Sequence, residues 1–289
     1  MVTKSSQRAP ANNKKSYNHA NHVGNQGDVV KHTVLIAVLD VLLKSPGSEE
    51  FTFCDAFSGY GEYPLDSEKR EWKTGVKALY EKKSTNSYIK NYLGACFAKD
   101  KNGEIHYPGS SVIAAMRAAR AGRKLSVKAW DIKEKCTDDL RKVLEAQWPR
   151  IEVDVQEGKM PVEIKATSGT GPKGADLLFI DPPDRKGGKE TLENISGNGN
   201  VIPPLLIWLP VHCGNSKNQG WKPNMGLEPP KTMNQHKLLS FHVLWGTPQN
   251  TLTMAGCEIF GWGIEKSAWE AARSAAQKVA NTMKWSFNK

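Results

Sequence analysis

The aspartate and two prolines that close the stretch Ile180-Asp181-Pro182-Pro183 are the residues of this chain best suited to hold a reacting group. They follow the apolar run Leu177-Leu178-Phe179-Ile180, which is preceded by the breaker string Gly169-Thr170-Gly171-Pro172-Lys173-Gly174. Such a run reads as a buried parallel strand. Prolines stiffen the backbone and remove two N–H donors, so the neighbouring carbonyls stay free to accept. A carboxylate and free carbonyls at a strand's C-terminal end suit an exocyclic –NH2 group, at the position where open α/β sheets bind ligands. A plain strand-ending turn is the alternative, because Asp-Pro is common in loops. The tetrapeptide alone leaves both open.

A second constellation lies upstream. Phe51-Thr52-Phe53-Cys54 reads as the first strand and runs into Asp55-Ala56-Phe57-Ser58-Gly59-Tyr60-Gly61. Glycines there allow close backbone approach and positive φ where a ligand crosses a strand end. An acid followed by G-x-G forms the S-adenosylmethionine loop of many methyltransferases, in which the usual pattern has glycine at the position of Phe57. Asp131 ends a further apolar run, and an acid at the end of a second Rossmann strand commonly accepts from ribose hydroxyls. The alternative for Asp131 is a helix cap. Glu157-Gly158 closes the third strand in the same manner. His19, His22 and His32 cluster before and within an apolar helix, for which Asp28 is the expected N-cap. Their spacing does not match two ligands on one helix face, and no Cys or Glu completes a set, so no metal is expected.

These residues need an α/β scaffold to bring them together. Strands are expected over residues 51–54, 125–130, 151–155, 176–180 and 205–209, with an antiparallel pair at 240–245 and 256–262. Helices are expected at 111–121, 139–147 and 267–284. Between about 62 and 106 the strand rhythm stops. Helices at 67–82 and 88–97, with no sheet element, read as an insertion after the first strand. Residues 1–16 read as a flexible basic arm and 17–289 as one domain. The loop 185–200, rich in Gly, Lys and Asn, is expected to work as a substrate lid.

Composition narrows the class. No apolar run approaches the length of a membrane span, and the polar N-terminus lacks an apolar leader. Five scattered cysteines with no CxxC pair point to a reducing cytoplasm. A net charge of +10 favours a polyanionic partner.

The order of motifs resembles the bacterial 23S ribosomal RNA adenine-N6 methyltransferase family (RlmJ-like). The matching elements are His22-x-Gly24-Asn25-x-x-Asp28-Val29-x-Lys31-His32-Thr33-Val34, Asp55-x-x-x-Gly59-x-Gly61-x-Tyr63, Tyr107-Pro108-Gly109-Ser110, Ile180-Asp181-Pro182-Pro183 and Trp208-x-Pro210-Val211. The resemblance spans residues 17–211, and more faintly 253–256. It implies a Rossmann-like class I methyltransferase sheet with a small helical insertion, S-adenosylmethionine as methyl donor, RNA as substrate, no metal and a monomer. It also implies donor contacts from His32, Phe57, Gly59, Gly61, Ser110, Asp131, Glu157, Gly158 and Asp181. Asp181 and Pro182 would be catalytic, with Tyr17, His19, Lys31 and Asp184 toward the RNA. Three positions depart from the family. Phe57 stands for a histidine, Asp131 for a glutamate, and Asp184 for the aromatic that would stack on an extruded adenine. Phe57 and Asp184 motivate a second reading, a nucleic-acid-binding protein of this fold that has lost catalysis; a third is a methyltransferase acting on DNA.

Overall fold

The computed structural model describes residues 22–46, 49–65, 70–97, 104–160, 174–183, 187–188, 190–191, 203–212, 239–245 and 254–288. Tyr17, His19, Asp184, the basic arm and most of the 185–200 loop lie outside these residues.

Strands β1 (Glu50–Asp55), β4 (Lys124–Asp131), β5 (Glu152–Glu157), β6 (Leu177–Ile180), β7 (Leu205–His212), β8 (Leu239–Leu244), β9 (Met254–Trp262) and β10 (Ser286–Asn288) form one sheet in the order β10-β8-β9-β7-β6-β1-β4-β5. The run β7-β6-β1-β4-β5 is parallel, and β9 enters antiparallel between β7 and β8. Central strands β1 and β6 are buried at every position, which is why they read as continuous apolar runs and not as alternating ones.

One sheet face is covered by α1 (Gln26–Leu42), α5 (Ser110–Ala121), α6 (Glu134–Gln147) and α7 (Lys266–Met283). Helix α1 is enclosed by α7, α5 and α4 (Ser87–Cys96), and residues 27–39 are all buried. Polar Asp28, Lys31, His32 and Thr33 are buried along with its apolar residues. Helix α7 meets it with Ala271 and Ala275, which cluster with Ala37 of α1, and their short side chains let the two helices approach closely.

Several local expectations are corrected. The N-cap of α1 is Asn25, whose side chain accepts from the Asp28 N–H at 3.0 Å. Asp28 sits in the first turn and accepts in return from the Gly24 N–H at 2.8 Å. Reciprocal capping of this kind satisfies two donors where a single cap satisfies one. The helix expected over 67–82 is two, α2 (Arg70–Thr74) and α3 (Val76–Glu81), broken at Gly75. A Cβ at Gly75 would lie 2.0 Å from the Gly24 carbonyl oxygen, and the Val76 N–H donates to that oxygen at 2.9 Å. The break is therefore the place where this segment grips the turn leading into α1.

The same segment does contain a sheet element. Strands β2 (Glu62–Pro64) and β3 (His106–Pro108) pair antiparallel with Tyr63 opposite Tyr107. Three residues each, without an alternating pattern, leave no signal in the sequence. Strand β10, which pairs with β8, is short and unsignalled for the same reason.

Candidate active site

Because β6, β1, β4 and β5 are parallel neighbours, their C-terminal ends share one edge. That edge carries Asp181, Asp55, Asp131 and Glu157 in sheet order. The loop after β1 is fastened across it. Ser58 donates its N–H to the Trp130 carbonyl at 2.9 Å, and Gly59 donates to Asp131 Oδ2 at 3.1 Å. Gly61 donates to Asp139 Oδ2 at 3.0 Å and accepts from the Gly109 N–H at 2.8 Å. Gly59 has φ +62°, and a Cβ there would stand 2.4 Å from the Tyr63 hydroxyl, which itself accepts from the Tyr60 N–H. Glycine at 59 is thus demanded by the loop's own conformation and packing. Gly158 has φ +122° and donates to the Asp131 carbonyl at 2.8 Å, with open space where a side chain would begin.

Asp55 is fully buried at the end of β1. Ser110 and Ser111, in the first turn of α5, donate to its Oδ2 at 2.5 and 2.8 Å. Burial pushes its carboxyl up to about 6, against these two hydrogen bonds, and its Oδ1 has no hydrogen-bond partner. Asp131 is half-buried, accepting from Gly59 on one oxygen and from the Lys133 N–H on the other at 2.9 Å. The N-cap of α6 is Lys133, so Asp131 ties two loops together and does not cap the helix. Glu157 is exposed at the end of β5. Phe57 is half-buried and packs on the apolar cluster that includes Cys54, Trp130 and Ile180.

His32 is buried and stacks on Tyr107, with ring centroids 5.5 Å apart. Its Nδ1 meets the Tyr107 hydroxyl at 2.8 Å, which meets the Tyr92 hydroxyl at 3.1 Å. A chain of hydroxyls thus links α4 to α1.

Lys31, expected toward the RNA, has only 3% of its side chain exposed. Its ammonium lies 2.9 Å from Asp28 Oδ1, donates to Asp181 Oδ2, and sits 5.4 Å from the centre of the Trp208 ring. Burial pulls its titration down, but Asp181 and Asp28 more than reverse this and hold it well above the ordinary lysine range. Asp181 itself stays partly accessible, at 17% exposure, with Pro182 buried behind it and Pro183 exposed. The structure therefore brings Lys31 to Asp181, and Gly59 and Gly158 to Asp131. Sequence reasoning missed Asp28, Asp139 and Tyr63 as partners in this edge, although the first and last stand inside the quoted motifs.

The edge fits a nucleoside-bearing ligand. It offers an orphaned buried carboxylate oxygen on Asp55, a half-buried carboxylate on Asp131, and open space where a side chain at Gly158 would begin. His22 pairs with Glu71 at 2.7 Å, and among the described residues no three His, Cys, Asp or Glu side chains are grouped to hold a metal ion.

Ranking the sheet strands by chain order gives 3-2-1-4-5-7-6, with the seventh antiparallel and one further strand beyond the sixth. That is the Rossmann-like sheet of class I methyltransferases. A profile of the family described as ribosomal RNA large subunit methyltransferase D, RlmJ, matches residues 48–215, and the chain belongs to that family. It is similar to ribosomal RNA large subunit methyltransferase J of Escherichia coli, with 29% identity over 106 residues, 35% of this chain and 37% of the relative. The Haemophilus influenzae protein of the same name is 36% identical over 107 residues, again 35% of this chain and 37% of the relative. Matched segments thus span little more than a third of those relatives. A crystal structure of a Legionella pneumophila protein superposes with a TM-score of 0.68 at 17% identity, covering 92% of this chain and 97% of that one. It shares the fold.

Proposed function

We propose that this protein is an S-adenosylmethionine-dependent methyltransferase acting on ribosomal RNA, with the N6 amino group of an adenosine as acceptor. The observation that carries the reading is Asp181, a part-exposed carboxylate at the C-terminal end of β6, held by a buried lysine beside the glycine loop of a methyltransferase sheet. Family membership and a net charge of +10 support an RNA partner.

When bound, S-adenosylmethionine supplies a methyl group already joined to its leaving group. What remains for the protein is positioning. The target base must leave its stack to reach the edge. Asp181 and the Pro182 carbonyl then accept from the two amino hydrogens, which turns the nitrogen lone pair toward the donor. Lys31 keeps Asp181 ionised and fixed while this happens. The donor would lie over Gly59 and Gly61, with Asp131 toward its ribose and His32, Phe57, Ser110, Glu157 and Gly158 around it. Tyr17, His19 and Asp184 would meet the RNA. We read the segment between β1 and α5 as an insertion, and the protein as a cytoplasmic monomer. Free, buried Cys54, Cys96, Cys136 and Cys257 fit a reducing compartment, and among the described residues no helix is long and apolar enough to cross a membrane.

The test is transfer of tritiated methyl from S-adenosylmethionine into ribosomal RNA, DNA and protein, followed by nucleoside analysis. Label in N6-methyladenosine from RNA is expected. Label confined to DNA or protein overturns the RNA assignment, and no transfer to any of the three overturns the enzyme.

A further inference from the structure

Lys31 is a single ammonium shared by two carboxylates that differ in freedom. Asp28 is 2% exposed and Asp181 is 17% exposed. Asp28 is locked, with Oδ2 on the Gly24 N–H, Oδ1 on Lys31, and its own N–H on Asn25. Asn25 in turn donates to Glu71 of α2 at 3.3 Å. Asp181, 150 residues away in sequence from Lys31, faces the edge where an acceptor would arrive. Capping α1 asks only for one oxygen from residue 28, and an amide oxygen would serve. The second oxygen, aimed at Lys31, has no capping task.

We propose that Asp28 is a positioning residue for methyl transfer: its buried carboxylate anchors the Lys31 ammonium at the place from which it fixes Asp181. The inference rests on the methyltransferase reading above. A buried ammonium with one counter-ion would draw fully on Asp181 and weaken it as an acceptor. Sharing the ammonium with Asp28 leaves Asp181 ionised and still able to accept from an incoming amino group. The charged and titratable groups around Lys31 are Asp28 on its own helix, Asp181 at the end of β6, Tyr63 of β2 and Cys257 of β9, with the Trp208 ring of β7 beside it. Asp181 also feels Asp55 of β1.

Asp28→Asn keeps an oxygen for the Gly24 N–H and removes the charge, whereas Asp28→Ala removes both. For Asp28→Asn, kcat should fall about tenfold, equal to ~1.4 kcal/mol, with the donor KM nearly unchanged. The acid limb of the kcat profile should move to lower pH, because an unshared Lys31 stabilises ionised Asp181 more strongly. Carbon-13 titration of the Asp181 carboxyl, in full-length protein without donor or RNA, should show the same downward movement. Wild-type kcat in Asp28→Asn overturns the proposal, as does a variant whose only change is a lower melting temperature with the Asp181 titration unmoved. If the wild-type protein transfers no methyl group, the enzyme reading fails by itself. The Asp181 titration then still decides whether Asp28 acts on Asp181, and an unmoved titration overturns that link.

Discussion

Glu258 and Asp181 are both carboxylates that meet a nitrogen inside the protein, and the difference between them separates the scaffold from the site. Glu258 lies on β9, is fully buried, and meets His242 Nε2 at 2.9 Å across the β8–β9 ladder, where the two residues are in direct register. Asp181 is reached by a lysine from a distant helix and keeps one side open. The first contact joins adjacent strands in the antiparallel part of the sheet. The second joins α1 to β6 at the edge where the parallel strands end. A polar pair sealed within a sheet specifies the sheet, while one brought from afar to an accessible edge is organised for something that arrives there.

Breaking each member should therefore give different losses. The largest expected effect is on chemistry. Asp181→Ala should lower methyl transfer about a thousandfold, roughly 4 kcal/mol, without loss of cooperative unfolding, as read by single-turnover kinetics and thermal melts. Glu258→Ala should do the opposite. Leaving buried His242 one hydrogen bond short should cost up to about 3 kcal/mol of stability in denaturant melts. Donor affinity below the melting transition should be retained. A Glu258 variant that is stable but cannot bind donor would erase the distinction between the two regions.

Asp55 sharpens the comparison through pH. Its carboxyl titrates near 6 in the folded protein against an ordinary 3.8. The folded state therefore holds the proton over this range while the unfolded chain releases it. Wild-type stability should fall as pH rises from about 4 to 6, then level off. Asp55→Asn lacks this titration, so the stability of the variant relative to wild type should rise by about 2–3 kcal/mol between pH 4 and 7. Urea melts at several pH values check it, and a constant difference would show that Asp55 is already ionised at pH 4. The smallest effect is expected at Tyr107→Phe. Removing its hydroxyl takes one hydrogen bond each from His32 and Tyr92, which should cost about 1–2 kcal/mol in urea melts.

Much of this edge was legible in the sequence because strand ends announce themselves. A strand-like run closed by an acid marked Asp55, Asp131, Glu157 and Asp181, and parallel pairing then put all four on one line. The contacts across the edge were not legible. Lys31 was placed toward the RNA by the resemblance alone, and nothing local in the sequence points to a partner 150 residues away. Asp28 looked like a cap because both tasks ask for the same residue type at a helix start. The break at Gly75 was hidden because it is set by the Gly24 carbonyl oxygen, which would lie 2.0 Å from a Cβ there, and not by helix propensity. For Gly59, the sequence suggested room for a ligand. The structure adds a steric demand from Tyr63, so Gly59→Val is expected to disturb the loop itself as well as donor binding.

The most direct test of the division between site and scaffold is a backbone amide titration of the full-length protein with S-adenosylhomocysteine, the demethylated donor. The amide signals of Gly59, Gly61 and Gly158 should move together and saturate with one binding constant, while those of His242 and Glu258 stay in place. Shifts centred on β8 and β9, or no saturable shift at the β1, β4 and β5 ends, would contradict the assignment of the parallel edge as the donor site.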